Sequence, residues 1–559
     1  MKNGWKNLIL ALVLLFVCSI AAAETSDFMP EEQSEARRIL VIETTDIHGY
    51  IMDASSGKEE TFQYRLAYIA HLIHEARNSE DYDDVLLLDG GDLYQGTPVS
   101  NLTGGAAIRA ALDVMNYDAI ALGNHEFDWE VTEYAADQDG TIAPYVLGDY
   151  FGDAKTPILA SNLYDAGTGE RVSFTQDYVI VEKAGLRIAI VGYIPDYRKS
   201  IMFEKIAPYT IDPDPDRLDA LTRRIRDEEN PDALIILAHA DPDDVAEAAD
   251  PSVVDLVAGG HSHEISADRA SNGIPYIQGY YYGNGFASAV LVIAPNGEVT
   301  VEDVQYTSIT DDKELLYATE ENAAHLDPEI MAISDATWTA VQEEMSEVLG
   351  YTDTPIMKIK EVGACSAGNW ITGLMLRATQ ADGAIMAFYN VGGIRTSLVM
   401  QEGETEREIT VYDMYTITPF ANSLLLYDIT GQELATLLQQ GLNQPNYGDQ
   451  MTGLTFTYTA TGDSDTPRAE REFTIKSITL DDGTVVDIND TETLYRICTS
   501  NYNATMPNSI FEGKEPVIPL ADAPIDNDEF IRLLRREKEA NGGYIAVDTG
   551  ERGIDITDK

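Results

Sequence analysis

From Ile39 to about Asp303, short apolar runs alternate with amphipathic stretches. Ile39–Ile42, Val85–Leu88, Ile120–Leu122, Ile188–Val191, Leu234–Leu237 and Val254–Val257 each read as a buried strand. A few consecutive apolar residues bounded by polar or glycine turns suit a strand covered on both faces. Between the first two, Leu66, Ile69, Ala70 and Ile73 recur at the spacing of one helix face. This alternation predicts a layered α/β domain, in which sites gather in the loops after strand C-termini. From Asp311 to about Leu349 the chain is acidic, rich in Ala and Glu, and without strand pattern, which predicts a helical linker. A second, mixed α/β domain is expected from Tyr351 onward. There Thr430 and Glu433 form a T-x-x-E capping box ahead of Leu434, Leu437 and Leu438. The expected boundaries are 36–310, 311–350 and 351–559.

The first residues read differently. Lys2 and Lys6 precede an apolar run from Leu8 to Ile20, and Ala21 and Ala23 follow as a small-x-small pair. That pattern predicts a signal peptide over 1–23 and export to an extracellular, cell-surface or periplasmic location. Cys18 falls within it, leaving Cys365 and Cys498, too few for a disulfide framework. No later stretch is long and apolar enough to span a bilayer. The formal net charge of −58 argues against a polymeric nucleic acid partner, which needs a basic surface. An anionic substrate would need local compensation, which bound divalent metals supply.

The candidate chemistry sits just after predicted strands. Asp46 and His48 follow the first, Asp92 the second, Asn124 and His125 the third; His239 follows a later one, and His261 and His263 the next. Five of the chain's eight histidines are in this set. Each motif alone has an ordinary reading: Asp46, His48 and Asp92 as turn residues, Asn124 and His125 as helix caps, His239 as a core histidine, His261 and His263 as a loop pair. Together, all at strand ends, they point to a metal site. Imidazole and carboxylate suit divalent zinc, manganese or iron. One Asp can bridge two ions, and two ions roughly 3.5–4 Å apart suit in-line displacement at phosphorus. His71, His74 and His325 are expected on solvated surface.

These motifs resemble the 5'-nucleotidase family, which includes 2',3'-cyclic-nucleotide phosphodiesterases and UDP-sugar hydrolases. The resemblance rests on Asp46-x-His48, Gly91-Asp92, Gly123-Asn-His-Glu126 and Gly260-His-x-His263. It continues in Gly368-Asn369, Asn390-Val-Gly-Gly-Ile-Arg395 and Thr418-Pro-Phe-Ala-Asn422. It implies a four-layer α/β/β/α metallophosphoesterase domain, a helical linker and a smaller α/β substrate-binding domain. It also implies two divalent metals, one held by Asp46, His48, Asp92 and His263, the other by Asp92, Asn124, His239 and His261. His125, supported by Asp128, resembles the family's catalytic His-Asp dyad. Phe420 resembles one of two aromatics that sandwich a nucleobase, Tyr502 sits where the second is expected, and stacking tolerates any base. Arg395 resembles an arginine that reaches anionic groups, with Asn390 and Gly393 in the same motif. The chain departs from the family near Gly363, where an arginine is common and Lys360 would partly substitute. It departs again at Met506-Pro507-Asn508, where Asn508 would replace a ribose-binding Asp.

The expected function is therefore release of phosphate from nucleotides, with 5'-nucleoside monophosphates as the leading substrate. The alternatives are 2',3'-cyclic nucleotides or UDP-sugars, and an inactive nucleotide-binding surface protein. Oligomeric state is left open. Substrate groups from the second domain must approach the metals, so hinge motion is expected near residues 340–355.

Overall fold

The computed structural model describes residues 36–557 apart from 55–58, 129–144, 148–149, 153–155, 197–200, 202, 312, 360–364, 402, 421, 444–448, 462–470, 507–508 and 520–522. The expected signal peptide, Lys360, Gly363 and Asn508 lie outside the described residues.

The N-terminal unit is built on two six-stranded sheets. The first comprises β1 (Arg37–Thr44), β2 (Asp84–Asp89), β3 (Ala119–Ala121) and β4 (Ile158–Leu159). The second comprises β5 (Tyr178–Lys183), β6 (Leu186–Tyr193), β7 (Ala233–Ala238), β8 (Leu256–Ala258), β9 (Ile265–Arg269) and β10 (Pro275–Gly279). β11 (Gly285–Ile293) and β12 (Val299–Ser308) return to complete the first sheet, in the order β12-β11-β1-β2-β3-β4. The second runs β9-β10-β8-β7-β6-β5.

Alternation along each strand explains the layers. Ile39, Val41, Leu86 and Leu88 point into the space between the sheets and meet Ile188, Ile190, Ile235 and Leu237. Leu40, Ile42, Val85 and Leu87 point the other way, under the helices Arg65–Arg77 and Ala106–Met115. Ala189, Val191, Leu234 and Ile236 likewise face the layer that includes Ile225 of Pro215–Glu229 and Val245 of Pro242–Ala248. Side chains on successive strand residues face opposite sides, so a strand covered twice must be apolar throughout. The result is the expected α/β/β/α stack. The helix predicted from Leu66, Ile69, Ala70 and Ile73 buries all four.

The acidic stretch after β12 holds the helix Pro328–Met345, started by Asp327, whose side chain accepts from the amides of Glu329 and Ile330. It is not a solvated tether. Ile330, Ile333, Trp338, Val341 and Met345 are buried in a core shared with both units. Trp338 lies edge-on to Phe62 at 4.9 Å and to Tyr412 at 6.3 Å. The expected hinge stretch includes Met345 and Leu349, which are both fully packed. His74 and His325 are exposed as expected, whereas His71 is half-buried, its ring edge-on to that of His325 at 5.7 Å.

The C-terminal unit carries two four-stranded sheets. One runs Leu424–Thr430, Leu494–Ser500, Met386–Tyr389, Gln450–Thr452; the other runs Val485–Val486, Phe473–Leu480, Leu454–Ala460, Gly553–Asp555. The capping box forms as predicted: the Thr430 amide donates to Glu433 Oε2 at 2.8 Å, and the Glu433 amide to Thr430 Oγ1 at 3.2 Å. Cys365 and Cys498 are buried and free. Among the described residues no helix is long and apolar enough to cross a membrane.

Removing a core contact between the sheets should cost stability without touching the strand-end loops. Ile235→Ala is expected to lower unfolding free energy by about 2–5 kcal/mol in a denaturant titration; a loss well below that range would contradict the packing described.

Candidate functional site

β1, β2 and β3 are parallel neighbours in one sheet, as are β7 and β8 in the other. Their following loops therefore converge on one edge of the stack. Backbone bonds stitch these loops together: the Asp46 amide donates to Gly91 O and the His48 amide to Asp92 O, both at 2.9 Å. Glu126, the last residue of Gly-Asn-His-Glu, accepts from the amides of Asp92, Leu93 and Gly123 at 2.8–3.0 Å. Gly123 is glycine for steric reasons, since a Cβ there would lie 2.2 Å from Asp92 Oδ1.

The loops carry unusual backbone strain. Asp46, His48, Asp92, His261 and His263 all have φ between 49° and 71°. Non-glycine residues seldom adopt this region, and such outliers cluster where function over-determines the conformation. Asp46, His48 and His263 form one group of converging ligand atoms, and Asp92, His239 and His261 another, each within 4.8 Å. Asp46 Oδ1 lies 3.2 Å from His263 Nε2, and His239 Nε2 lies 3.1 Å from Asp92 Oδ2. His48 Nε2 is 3.8 Å from Asp92 Oδ2, so Asp92 faces both groups. Asn124 makes no side-chain cap; its Oδ1 faces His239 Nε2 at 3.1 Å and His261 Nδ1 at 2.8 Å.

The donor set fits divalent cations. His48 and His239 donate through Nδ1–H to the carbonyls of Gln95 and Gly90, at 2.8 and 2.7 Å. That arrangement leaves Nε2 free as a ligand and fixes the ring. Asp46 Oδ1 is buried with no hydrogen-bond partner, an orphan acceptor aimed into the cluster. Such an atom is costly to bury unless something cationic meets it.

Electrostatics point the same way. Burial opposes charge on Asp46, yet facing His263 outweighs it and holds the carboxyl at about 2. Burial also opposes charge on Asp92, but His239 and His125 keep it well below the usual carboxylate range. Against burial, Asp92 raises His239 to about 10. Burial and the neighbouring His239 push His261 down to about 4. The carboxylates thus recruit a proton to His239, and a divalent cation would replace it.

His125 stands at the rim. Its Nδ1 meets Asp128 Oδ2 at 2.6 Å, and its amide donates to Asp92 Oδ1 at 2.7 Å. Burial is again outweighed, here by Asp128 and Asp92, so the ring holds a proton more readily than a free imidazole. Phe420 stacks on His125 with centroids 5.4 Å apart, and the Arg395 guanidinium lies 5.4 Å from the Phe420 ring centre. These groups, with Tyr502, Asn390 and Gly393, line one cavity of ≈ 1230 Å³ between the units, which also opens onto Asp92 and Asn124.

Sequence reasoning did not single out Glu126 or the tyrosines beside the cluster. Tyr281 stacks on His263 at 4.7 Å, and Tyr282 lies edge-on to His48 at 5.6 Å. Tyr50 stacks on Tyr282 at 4.4 Å. The signals were the place of Glu126 in the Gly-Asn-His-Glu motif and the run Tyr280-Tyr281-Tyr282-Gly283 after β10.

Residues 39–264 match the calcineurin-like phosphoesterase family and residues 348–510 the 5'-nucleotidase C-terminal domain family. The trifunctional nucleotide phosphoesterase YfkN of Bacillus subtilis strain 168 is 25% identical over 509 residues, covering 83% of this chain. The chain spans only 31% of that relative's length. UshA of Escherichia coli strain K12 is 25% identical over 564 residues, 90% of this chain and 91% of that protein. The crystal structure of a 5'-nucleotidase precursor from Thermus thermophilus shares the fold with TM-score 0.71 at 20% identity, covering 93% of this chain and 100% of that one.

Two linked outcomes follow for His239. Its pKa in the folded protein is raised above the ordinary 6.5, so its pairing stabilises metal-free protein fully below about 6.5 and is lost as pH rises through about 10. Metal loading near pH 8 should release about one proton per chain, read by calorimetry in buffers of differing ionisation enthalpy. Binding with no proton release would contradict this account of the cluster.

Proposed function

We propose, from the premise that the chain belongs to the 5'-nucleotidase family of metal-dependent phosphoester hydrolases, that it is an exported enzyme releasing phosphate from 5'-nucleoside monophosphates. The observation that carries this reading is the shared cavity: the strained Asp and His cluster opens onto the same space as Arg395, Phe420 and Tyr502. A phosphate site and a base-stacking site lie within reach of one small molecule.

In this reading Asp46, His48, Asp92 and His263 hold one divalent cation, and Asp92, Asn124, His239 and His261 hold a second. When bound, such ions neutralise phosphoryl oxygens and make a water a stronger nucleophile. Zinc, manganese or iron suits the donors. The chain's own groups do the rest. Phe420 and Tyr502 stack on the base and orient the nucleotide. Arg395 offers a planar fork of donors to the phosphoryl oxygens. His125, held by Asp128, keeps a proton at Nε2 for the developing charge or the leaving ribose oxygen. Asn390 and Gly393 line the substrate's side of the cavity. Export rests on the apolar run Leu8–Ile20 and its flanks.

The name of the Bacillus subtilis relative, a trifunctional nucleotide phosphoesterase, keeps more than one kind of nucleotide phosphoester within the substrate range to be tested. A panel of AMP, UMP, ATP, 2',3'-cyclic AMP and UDP-glucose, the last two with a coupled phosphatase, ranks the candidates. Monophosphates should turn over fastest, and a chelator should abolish the activity. Asp46→Asn and His125→Ala should each lower kcat by about 10²–10³-fold. Near-normal turnover in either variant would sink the assignment.

A further inference from the structure

Stacking alone does not choose among bases, since each offers a π-face. Among the polar groups on the wall of the cavity, one carboxylate has the means to choose. Asp449 lines it and is 7% exposed. No hydrogen bond or ion pair engages its carboxylate among the described residues.

Its position is fixed by two neighbours. The ladder between Met386–Tyr389 and Gln450–Thr452 pairs Tyr389 with Gln450 in antiparallel register. Asn390 directly follows Tyr389 and Asp449 directly precedes Gln450, so both lie at the end of that ladder. Asn390 opens the turn that leads to Gly393 and Arg395, so Asp449 stands beside the turn already placed at the substrate. From the other side, the helix Gly431–Asn443 presents Gly441. A Cβ at Gly441 would lie 2.5 Å from Asp449 Oδ2, so the carboxylate packs directly against helix backbone. The side chain has little freedom to turn elsewhere. Gln440 and Asn443 of the same helix line the cavity next to it.

The Asp449 side chain is largely buried and meets no protein donor among the described residues, while it still lines the cavity, where a ligand can supply the donor. Burial alone pushes this carboxyl up to about 7, with no protein group to offset it. An ionised carboxylate is acceptor-only and has two oxygens side by side. It is matched by two adjacent N–H groups in one plane.

We propose that Asp449 reads the edge of the nucleobase and selects bases that present two adjacent N–H donors, as guanine does with N1–H and its 2-amino group. Adenine sets an acceptor at N1 beside its amino group, so one carboxylate oxygen would face a lone pair. Inosine keeps N1–H but lacks the amino group, and uracil offers one N–H. The preference therefore runs GMP first, IMP and UMP next, AMP last. This inference rests on the nucleotide reading given above and narrows its substrate class.

The test compares kcat/KM for GMP, IMP, UMP and AMP at one metal loading, in the unaltered chain and in Asp449→Asn. The unaltered protein should favour GMP over AMP by about tenfold, the scale of one bidentate base contact. Asp449→Asn should bring that ratio close to one. Being a ratio, it does not depend on how much of the variant folds. A second measurement needs no variant: guanosine should inhibit the unaltered enzyme at about tenfold lower concentration than adenosine. Equal kcat/KM for GMP and AMP, or a ratio unmoved by Asp449→Asn, overturns the inference and leaves nucleotide hydrolysis standing. No turnover of any nucleotide, with turnover of p-nitrophenyl phosphate, overturns the functional reading and this inference with it.

Discussion

The Asp92 carboxylate is buried, sits on a residue with φ 57°, and lies within 4 Å of His48 and His239 while accepting the His125 amide. Much of the surrounding structure serves to hold it there. Glu126 ties its loop to that of Gly123, and Gly123 is the residue that leaves room for Oδ1. The two sheets bring their parallel strand ends to the same edge, which lets one carboxylate face two sets of imidazoles. A single acid shared in this way is what a pair of cations bridged by one ligand requires.

The site also resolves a conflict set by charge. A chain with a net charge of −58 repels a phosphate ester. The cluster reverses that locally by demanding positive charge: Asp46 carries an orphan acceptor, and His239 is driven to hold a proton. Arg395 and His125 extend the cationic character toward the second unit, where Phe420 covers both. The interdomain helix Pro328–Met345 is packed into a core common to both units, so the two halves of the cavity are set against each other by apolar contact as well as by chain connection.

How far the sequence spoke depended on whether a residue's role was local. Strands such as Leu234–Leu237 were legible because burial on both faces leaves an unbroken apolar run. β12 was not, because it carries polar residues such as Glu302, Asp303 and Gln305 at a sheet edge. The helix Pro328–Met345 was legible as a helix, but its acidic composition hid the apolar stripe from Ile330 to Met345. The clustered histidines were legible because imidazoles at successive strand ends have few other uses. Glu126, Tyr281 and Asp449 were not. Each acts through a contact with a distant segment, so Glu126 stood out only as the last residue of its motif, Tyr281 only as part of a tyrosine run, and Asp449 not at all.

The proposal to test is that the strained Asp and His cluster would hold a pair of divalent cations, with Asp92 facing both groups of ligand atoms. Loading the protein with manganese and recording both metal content and electron paramagnetic resonance tests it directly. The account predicts two manganese ions per chain with a spin-coupled spectrum, as expected for ions about 4 Å apart. Saturation at one ion per chain, or two ions with uncoupled spectra, would contradict it.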